Sequence, residues 1–380
     1  MSWQSRAEKV LKPTTFSKQP NYYIRGVHPT HVRSGQGNYL TGPDNEVIFD
    51  TTGGLGSNLW ECRNNFALPS TKEVILAEML VTRIRCADMV QLVKTGSEAC
   101  SAAIRYARAF TDRGQTAGTG YHGWHNLFIA AESPGAGCYY EGYRKCQNLN
   151  ELTDYADHNR DLAAVIIEPW ELDPNVTDKL EALRSVCTQN GIVLIFDEVI
   201  SGARVPKFVV ANYTDVQPDL IVMGKALGGG YPLGICAGRR DIMSTPGVFV
   251  SSTFAGEEST LDAAIATMHK TTDDELMRFY DQANDFQRKF NYEGEGLVWL
   301  EGYGTRTVLR GQKNYAAILS QEMYRRYRTL MMANGPLIPH MSWKTSDYSL
   351  IITQMRPIVK ELDTLQLEAE PEPIFKRVKD

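Results

Sequence analysis

Val222-Met-Gly-Lys-Ala-Leu-Gly-Gly-Gly-Tyr-Pro232 sets one lysine between an apolar run and three consecutive glycines. Asp219-Leu-Ile-Val-Met223 predicts a short buried strand. The chain then turns at Gly224, so that Lys225 stands at the strand end ahead of the loop Gly228-Gly-Gly230. Such a lysine is either a solvated amine beside a flexible turn or an amine offered to a ligand. Roughly one βα unit earlier, Gly191-Ile-Val-Leu-Ile-Phe-Asp-Glu-Val199 reads as a strand that delivers Asp197 to its C-terminal end. Alone, Asp197 could simply cap the following helix. Together the two residues suggest an amine and an acid meeting over one cofactor.

Pyridoxal phosphate chemistry needs such a pair. A lysine in Schiff-base linkage presents the cofactor aldehyde as an activated imine, which an incoming amine displaces quickly. A carboxylate against the pyridine nitrogen keeps it protonated, and the ring can then accept electrons from the substrate. Lys225 and Asp197 fit these two roles.

Leu194-Ile-Phe-Asp-Glu-Val-Ile-Ser-Gly-Ala-Arg204, followed by Pro218-Asp-Leu-Ile-Val-Met-Gly-Lys-Ala-Leu-Gly-Gly-Gly-Tyr-Pro-Leu-Gly-Ile-Cys-Ala-Gly-Arg239, resembles the signature of class III pyridoxal-phosphate aminotransferases. Within them it is most similar to the glutamate-1-semialdehyde aminomutase branch, from about Asn38 to Met268. The resemblance implies an α/β protein of fold type I, the aspartate-aminotransferase type. Its large domain would hold a mainly parallel central sheet beside a smaller α+β domain. It also implies a homodimer with active sites at the subunit interface.

Other strings take roles from that resemblance. Val90-Gln-Leu-Val93 reads as a strand running into Lys94-Thr-Gly-Ser-Glu-Ala99 and a helix from Ser97 to Phe110, and a helix start is a ready anion site. The string is similar to the family's Ser-Gly-Thr-Glu-Ala phosphate cup with its hydroxyl residues exchanged, which puts Gly96 and Ser97 at the cofactor phosphate. An ordinary N-cap by Thr95 or Ser97 is compatible with that role. In Gly120-Tyr-His-Gly-Trp-His-Asn126, composition alone allows a turn with a packed tyrosine; the resemblance implies that Tyr121 stacks on the pyridine ring, His122 lying close by. Trp124 and His125 would shape the substrate side. No metal is expected, since neither histidine has a carboxylate or cysteine at ligand spacing.

Ala163-Ala-Val-Ile-Ile-Glu-Pro169 is a buried strand ending in Glu168, either a site residue, as the family's Glu-Pro would make it, or a salt-bridge partner elsewhere. Where the family continues with a glycine-rich turn, this chain has Trp170-Glu-Leu-Asp-Pro174. The family's Gly-Phe-Arg becomes Gly202-Ala-Arg204, so an aromatic is lost. Both departures put a standard substrate in question. Val199 would lie on the ring face opposite Tyr121. Val248-Phe-Val-Ser-Ser-Thr-Phe-Ala-Gly-Glu257 resembles a segment whose threonine reaches the neighbouring subunit's phosphate, a role carried to Thr253; a plain strand-end threonine is the alternative. For a substrate carboxylate, Arg25, Arg33 and Arg306 are candidates, each equally readable as a structural arginine.

The chain of 380 residues is 43% hydrophobic, enough for a large core plus a second domain. A net charge of −5 gives no basic footprint for nucleic acid. No apolar run approaches a membrane span and Met1 to Val10 has no signal-peptide core, so a soluble cytoplasmic protein is the expectation. Cys62, Cys86, Cys100, Cys138, Cys146, Cys187 and Cys236 show no C-x-x-C pair and read as reduced packing thiols.

The domain reading is residues 1–60 as an N-terminal arm and hairpin belonging to the small domain, 61–268 as the large cofactor-binding domain, 269–367 as the C-terminal small domain, and 368–380 as a disordered tail. A turn-rich loop is expected from Glu132 to about Asp157 and a helix from Ala316 to Asn334. The implied activity is transfer or migration of an amino group on a small amine or amino acid. Decarboxylation on the same fold is one alternative, and a non-catalytic binding or dimerisation module is another. A dinucleotide site is excluded for want of Gly-x-Gly-x-x-Gly after the first strand.

Overall fold

The structure, a computed structural model, describes residues 2–19, 28–58, 64–132 and 142–368. Residues 20–27, including Arg25, residues 59–63, including Cys62, residues 133–141, including Cys138, and the tail from residue 369 lie outside the described residues.

The N-terminal arm starts as a helix, α1 (Trp3–Val10). Ser2 caps it: its Oγ accepts a hydrogen bond from the Ser5 amide at 3.2 Å, satisfying one orphan donor of the first turn. Arg6 then grips Glu78 with two bonds of 2.8 and 2.6 Å. The expected hairpin is present as β2 (Tyr39–Thr41) and β3 (Val47–Phe49), joined by β1 (Ser34–Gln36) into a small antiparallel sheet with Tyr39 opposite Phe49. Arm and hairpin group by contact with the larger of two units, not with the smaller one to which the sequence reading gave them. The cause lies in buried polar contacts: Leu11 bridges Val90, Val32 bridges Ser70, and Lys18 forms an ion pair with Glu73 whose side chains are both 1% exposed.

The larger unit comprises Met1–Pro169, Thr177–Ala203 and Phe208–Thr272. Ser70 and Glu73 form a capping box that starts α2 (Thr71–Arg83). The chain then alternates strand and helix: β4 (Met89–Val93), α3 (Gly96–Thr111), β5 (Gln115–Thr119), α4 (Asn126–Glu132), β6 (Tyr143–Lys145), α5 (Leu149–His158), β7 (Leu162–Ile167), α6 (Thr177–Asn190), β8 (Val193–Glu198), α7 (Val210–Thr214) and β9 (Leu220–Gly224). It ends with β10 (Gly234–Gly238), α8 (Arg240–Met243) and α9 (Glu258–Lys270). The loop expected up to Asp157 therefore contains β6 and α5. Asn148 caps α5 by accepting from the Asn150 and Glu151 amides, and Leu152 and Ala156 bury one face of it.

Seven strands form one sheet in the order β4-β10-β9-β8-β7-β5-β6. The run β9 to β6 is parallel, and β10 is antiparallel to both neighbours, so β4 points the same way as the parallel five. Strands β4, β7, β8, β9 and β10 are buried at every residue, as a sheet covered on both faces requires. Ala99, Ala103, Ile104 and Ala107 of α3 pack in one core with Ile166, Ile195, Val222 and Cys236. The α/β, fold type I expectation matches this arrangement.

The smaller unit takes Trp170–Val176, Arg204–Lys207 and Asp273–Asp380. It contains α10 (Asp273–Glu293), β11 (Val298–Tyr303), β12 (Arg306–Gly311), α11 (Tyr315–Tyr327), β13 (Pro336–Leu337) and α12 (Thr345–Val359), around Phe286, Phe290, Leu300, Leu309, Leu319 and Met355. Helix α11 stops seven residues short of the expected Asn334, because Arg328 turns left-handed at φ 57° and closes it as a C-cap. Trp170, the departure from the family's glycine-rich turn, is buried with its ring edge-on to Tyr303 at 5.1 Å. It anchors an aromatic cluster of this unit.

Candidate active site

Because β4 and the parallel strands share a direction, their carboxyl ends open on one edge of the sheet. That edge is where ligands sit in open α/β sheets. The candidate residues emerge there in turn: Gly96 and Ser97 after β4, Tyr121 and His122 after β5, Glu168 after β7, Asp197 and Val199 at the end of β8, and Lys225 directly after β9.

The strand ends are knitted by close approaches. Val199 lies against the start of α3, so that a Cβ added to Gly96 would come within 2.9 Å of its Cγ1. The same methyl would lie 3.6 Å from a Cβ on Gly224, the residue before Lys225. Gly123, at φ 97°, crosses so near Ser97 that an added Cβ would sit 2.2 Å from Oγ. The Trp124 amide points at the same oxygen, 3.4 Å away. A Gly123→Ala variant should therefore push Ser97 off the helix start as well as strain the backbone by about 1–3 kcal/mol. We expect at least a tenfold weaker hold on phosphate ligands, measured by equilibrium dialysis with pyridoxal phosphate; unchanged binding would show that Ser97 does not need this loop.

The start of α3 presents backbone donors of the kind an anion takes. Thr95 caps it by accepting from the Glu98 amide at 3.1 Å, and Glu98 accepts in return from the Thr95 and Lys94 amides at 2.9 and 2.8 Å. This box leaves the Gly96 and Ser97 amides, which have no intrahelical acceptor, at the positive end of the helix.

Asp197 is buried at 5% exposure, and a lone ionised carboxylate there would be costly. It is held by three donors: His122 Nδ1 at 2.8 Å and Cys100 Sγ at 3.4 Å on Oδ2, and the Val199 amide at 3.0 Å on Oδ1. His122 and Cys100 are buried as well. The ligand atoms of Cys100, His122 and Asp197 lie within 4.8 Å of one another, the one candidate metal cluster among the described residues. Burial and the Asp197 charge push the Cys100 thiol far up, so without a metal it is held as S–H and donates to Asp197.

Glu168 is buried and accepts from the Tyr121 amide at 3.3 Å, which ties the β7 end to the β5 loop. Tyr121 and Trp124 stand half or more exposed on that loop, and His125 Nδ1 bonds Ser101 Oγ at 2.8 Å. Lys225 is exposed at the strand end with φ 40°, a left-handed conformation that turns the chain immediately after the buried strand. Thr253 is exposed in the turn ahead of α9. Arg33 is exposed beside β1, and Arg306 opens β12 in the smaller unit.

Two buried residues escaped sequence reasoning. Cys100 follows Gly96 by four positions, one helical turn, and that spacing was the available signal. Glu198 follows Asp197 and faces the other side of the strand, where it accepts from Ser201 Oγ and from the Val210 and Ala211 amides at 2.8–3.0 Å. Burial raises its pKa to about 7 despite those donors. The native state thus keeps a proton that the unfolded chain has already lost, and stability should fall as pH rises from about 4.5 to 7, by about 3 kcal/mol from this group. Urea unfolding of wild type and Glu198→Gln at pH 5 and 7.5 checks this: the variant should lack that part of the slope, and equal slopes would refute it.

A family model described as Aminotransferase class-III matches residues 128–293. Glutamate-1-semialdehyde 2,1-aminomutase of Chlorobium phaeobacteroides (strain BS1) is 32% identical over 290 residues, covering 66% of this chain and 67% of that protein. The protein of the same name from Methanocaldococcus jannaschii is 35% identical over 251 residues, 58% of this chain and 57% of its own length. Among solved structures, an omega-transaminase from Sphaerobacter thermophilus superposes with a TM-score of 0.72 over 91% of this chain and 95% of its own, at 21% identity, a likeness of fold.

Proposed function

The chain belongs to the class-III aminotransferase family, and from that premise we propose that it is a pyridoxal-phosphate enzyme that transfers or migrates an amino group on a small amine or amino acid. The observation that carries this reading is the placement of Lys225 and a buried, triply bonded Asp197 at neighbouring strand ends, one residue beyond β9 and within the last turn of β8.

The residues present fit the cofactor. The Gly96 and Ser97 amides at the start of a 16-residue helix suit a phosphate dianion. Asp197 offers a buried carboxylate to a ring N–H, and its oxygen Oδ1 accepts only the Val199 amide among the described residues. Tyr121 would lie on one ring face and Val199 on the other, with His122 supporting Asp197 and Glu168 holding the Tyr121 loop. When bound, the cofactor supplies an electron sink for the carbon that bears the amine. Lys225 would anchor it, would give way to the substrate amine, and its Nζ would then carry a proton from one carbon to the next. Asp197 would hold the proton of the ring nitrogen.

Thr253 would reach the phosphate site of a second copy in a homodimer, its exposure on the turn before α9 being compatible with that contact. No helix among the described residues is long and apolar enough to cross a membrane. The free cysteines Cys86, Cys100, Cys146, Cys187 and Cys236 suit a reducing compartment, and we place the enzyme in the cytoplasm.

The test is the absorbance spectrum of the purified protein supplied with pyridoxal phosphate, before and after borohydride, followed by peptide mapping. A visible band that bleaches and leaves the cofactor on the peptide of Lys225 is the expected result. No band, or attachment at another lysine, overturns the reading.

A further inference from the structure

We propose that Cys100 is a positioning residue for the reaction centre: together with His122 it occupies one oxygen of Asp197 and so leaves the other oriented toward the ring nitrogen. The inference rests on Asp197 being that nitrogen's partner, as proposed above.

A carboxylate has two oxygens with about four acceptor positions. On Oδ2 both positions are used, by His122 Nδ1 at 2.8 Å and Cys100 Sγ at 3.4 Å. On Oδ1 one is used, by the Val199 amide at 3.0 Å. The remaining position belongs to the oxygen tied to Val199, the residue whose side chain lies against Gly96 and beside Gly224 at the strand-end crown. With two donors on Oδ2 the carboxylate plane cannot rotate without breaking two buried bonds, which costs free energy for each donor left unmade. Without Cys100 a single bond would be left on Oδ2.

Cys100 suits this task. It sits on α3, whose Ala99 and Ala103 neighbours are packed into the sheet, so its Cα is fixed by a rigid element. It is 1% exposed, so water does not compete for Oδ2. Its thiol is pushed up by burial and by the Asp197 charge, so it remains a donor at every pH at which the protein would work. A side chain retained only to fill space at this position would need no hydrogen on sulfur.

The experiment compares the full-length wild type with Cys100→Ala, Cys100→Ser and Asp197→Asn. It reads the pyridoxal phosphate dissociation constant by equilibrium dialysis and the melting temperature of the cofactor-free proteins. We expect Cys100→Ala to weaken binding by about 5- to 10-fold. Cys100→Ser, which restores an O–H donor in the same place, should bind within about twofold of wild type even if it melts lower than the alanine variant. Serine binding as weakly as alanine, or more weakly, would mean that Cys100 only packs, and overturns the proposal. Wild-type affinity in both cysteine variants overturns it too, and a loss of binding in Asp197→Asn would then show that the cofactor reading survives. Failure of the wild type itself to bind pyridoxal phosphate removes the cofactor reading and this proposal with it.

Discussion

Replacing Lys225 with alanine should lower turnover by about 10³-fold or more and leave the fold intact. In the proposed mechanism the residue combines a nucleophilic and an acid–base role, and acid–base catalysis alone contributes about 10²–10⁴-fold. The side chain is exposed at the end of β9, so its removal opens no cavity in the core. Its φ of 40° burdens lysine and alanine alike, so no new backbone strain appears. Melting temperature should therefore stay within a degree or two of wild type while activity on any accepted amine collapses. Borohydride should no longer fix the cofactor to the protein. Near-wild-type turnover in this variant would sink the mechanism, because no other residue has been given the proton transfer.

The second large effect is expected from Asp197→Ala, and here fold and function should suffer together. Three donors, two of them fully buried, lose their acceptor at once: His122 Nδ1, Cys100 Sγ and the half-buried Val199 amide. A buried donor left unmade costs about 1–3 kcal/mol, so a melting temperature lower by several degrees is the expected result. The ring nitrogen also loses its counter-charge, which should weaken cofactor binding by about 100-fold and lower kcat by a comparable or greater factor. Asp197→Asn separates the two effects. The amide keeps the shape and one acceptor oxygen, so stability should largely return, while the lost charge keeps affinity and kcat low. If Asp197→Asn binds pyridoxal phosphate as wild type does, the acid serves the fold alone.

Much of the site was legible because its residues sit at strand ends, where local sequence announces them. An apolar run of four to six residues, then a turn residue, then a polar side chain is readable without knowing which strands are neighbours. Lys225 has that form, and Asp197 and Glu168 follow their apolar runs directly, with no turn residue between. Cys100 and Glu198 do not. One lies inside a helix and the other behind a strand, and their roles depend on what is opposite them: Asp197 for the thiol, the start of α7 for the carboxylate. The packing of Trp170 was likewise not legible, since its partner Tyr303 lies more than a hundred residues away.

The sequence by itself determined the alternation of buried strands and amphipathic helices, and with it an α/β sheet whose strand ends carry an amine, an acid and a capped helix start. Those features are encoded in neighbouring residues, within the reach of strand and helix periodicity. Only the tertiary structure decided the rest. Reversal of β10 between β9 and β4 brings that helix start to the same edge as Lys225. The buried Lys18–Glu73 pair takes the N-terminal arm into the larger unit. Asp197 carries three donors from α3, the β5 loop and its own strand end. Each depends on pairing between distant segments, where a buried polar group must find a partner, and no local pattern specifies which partner that is.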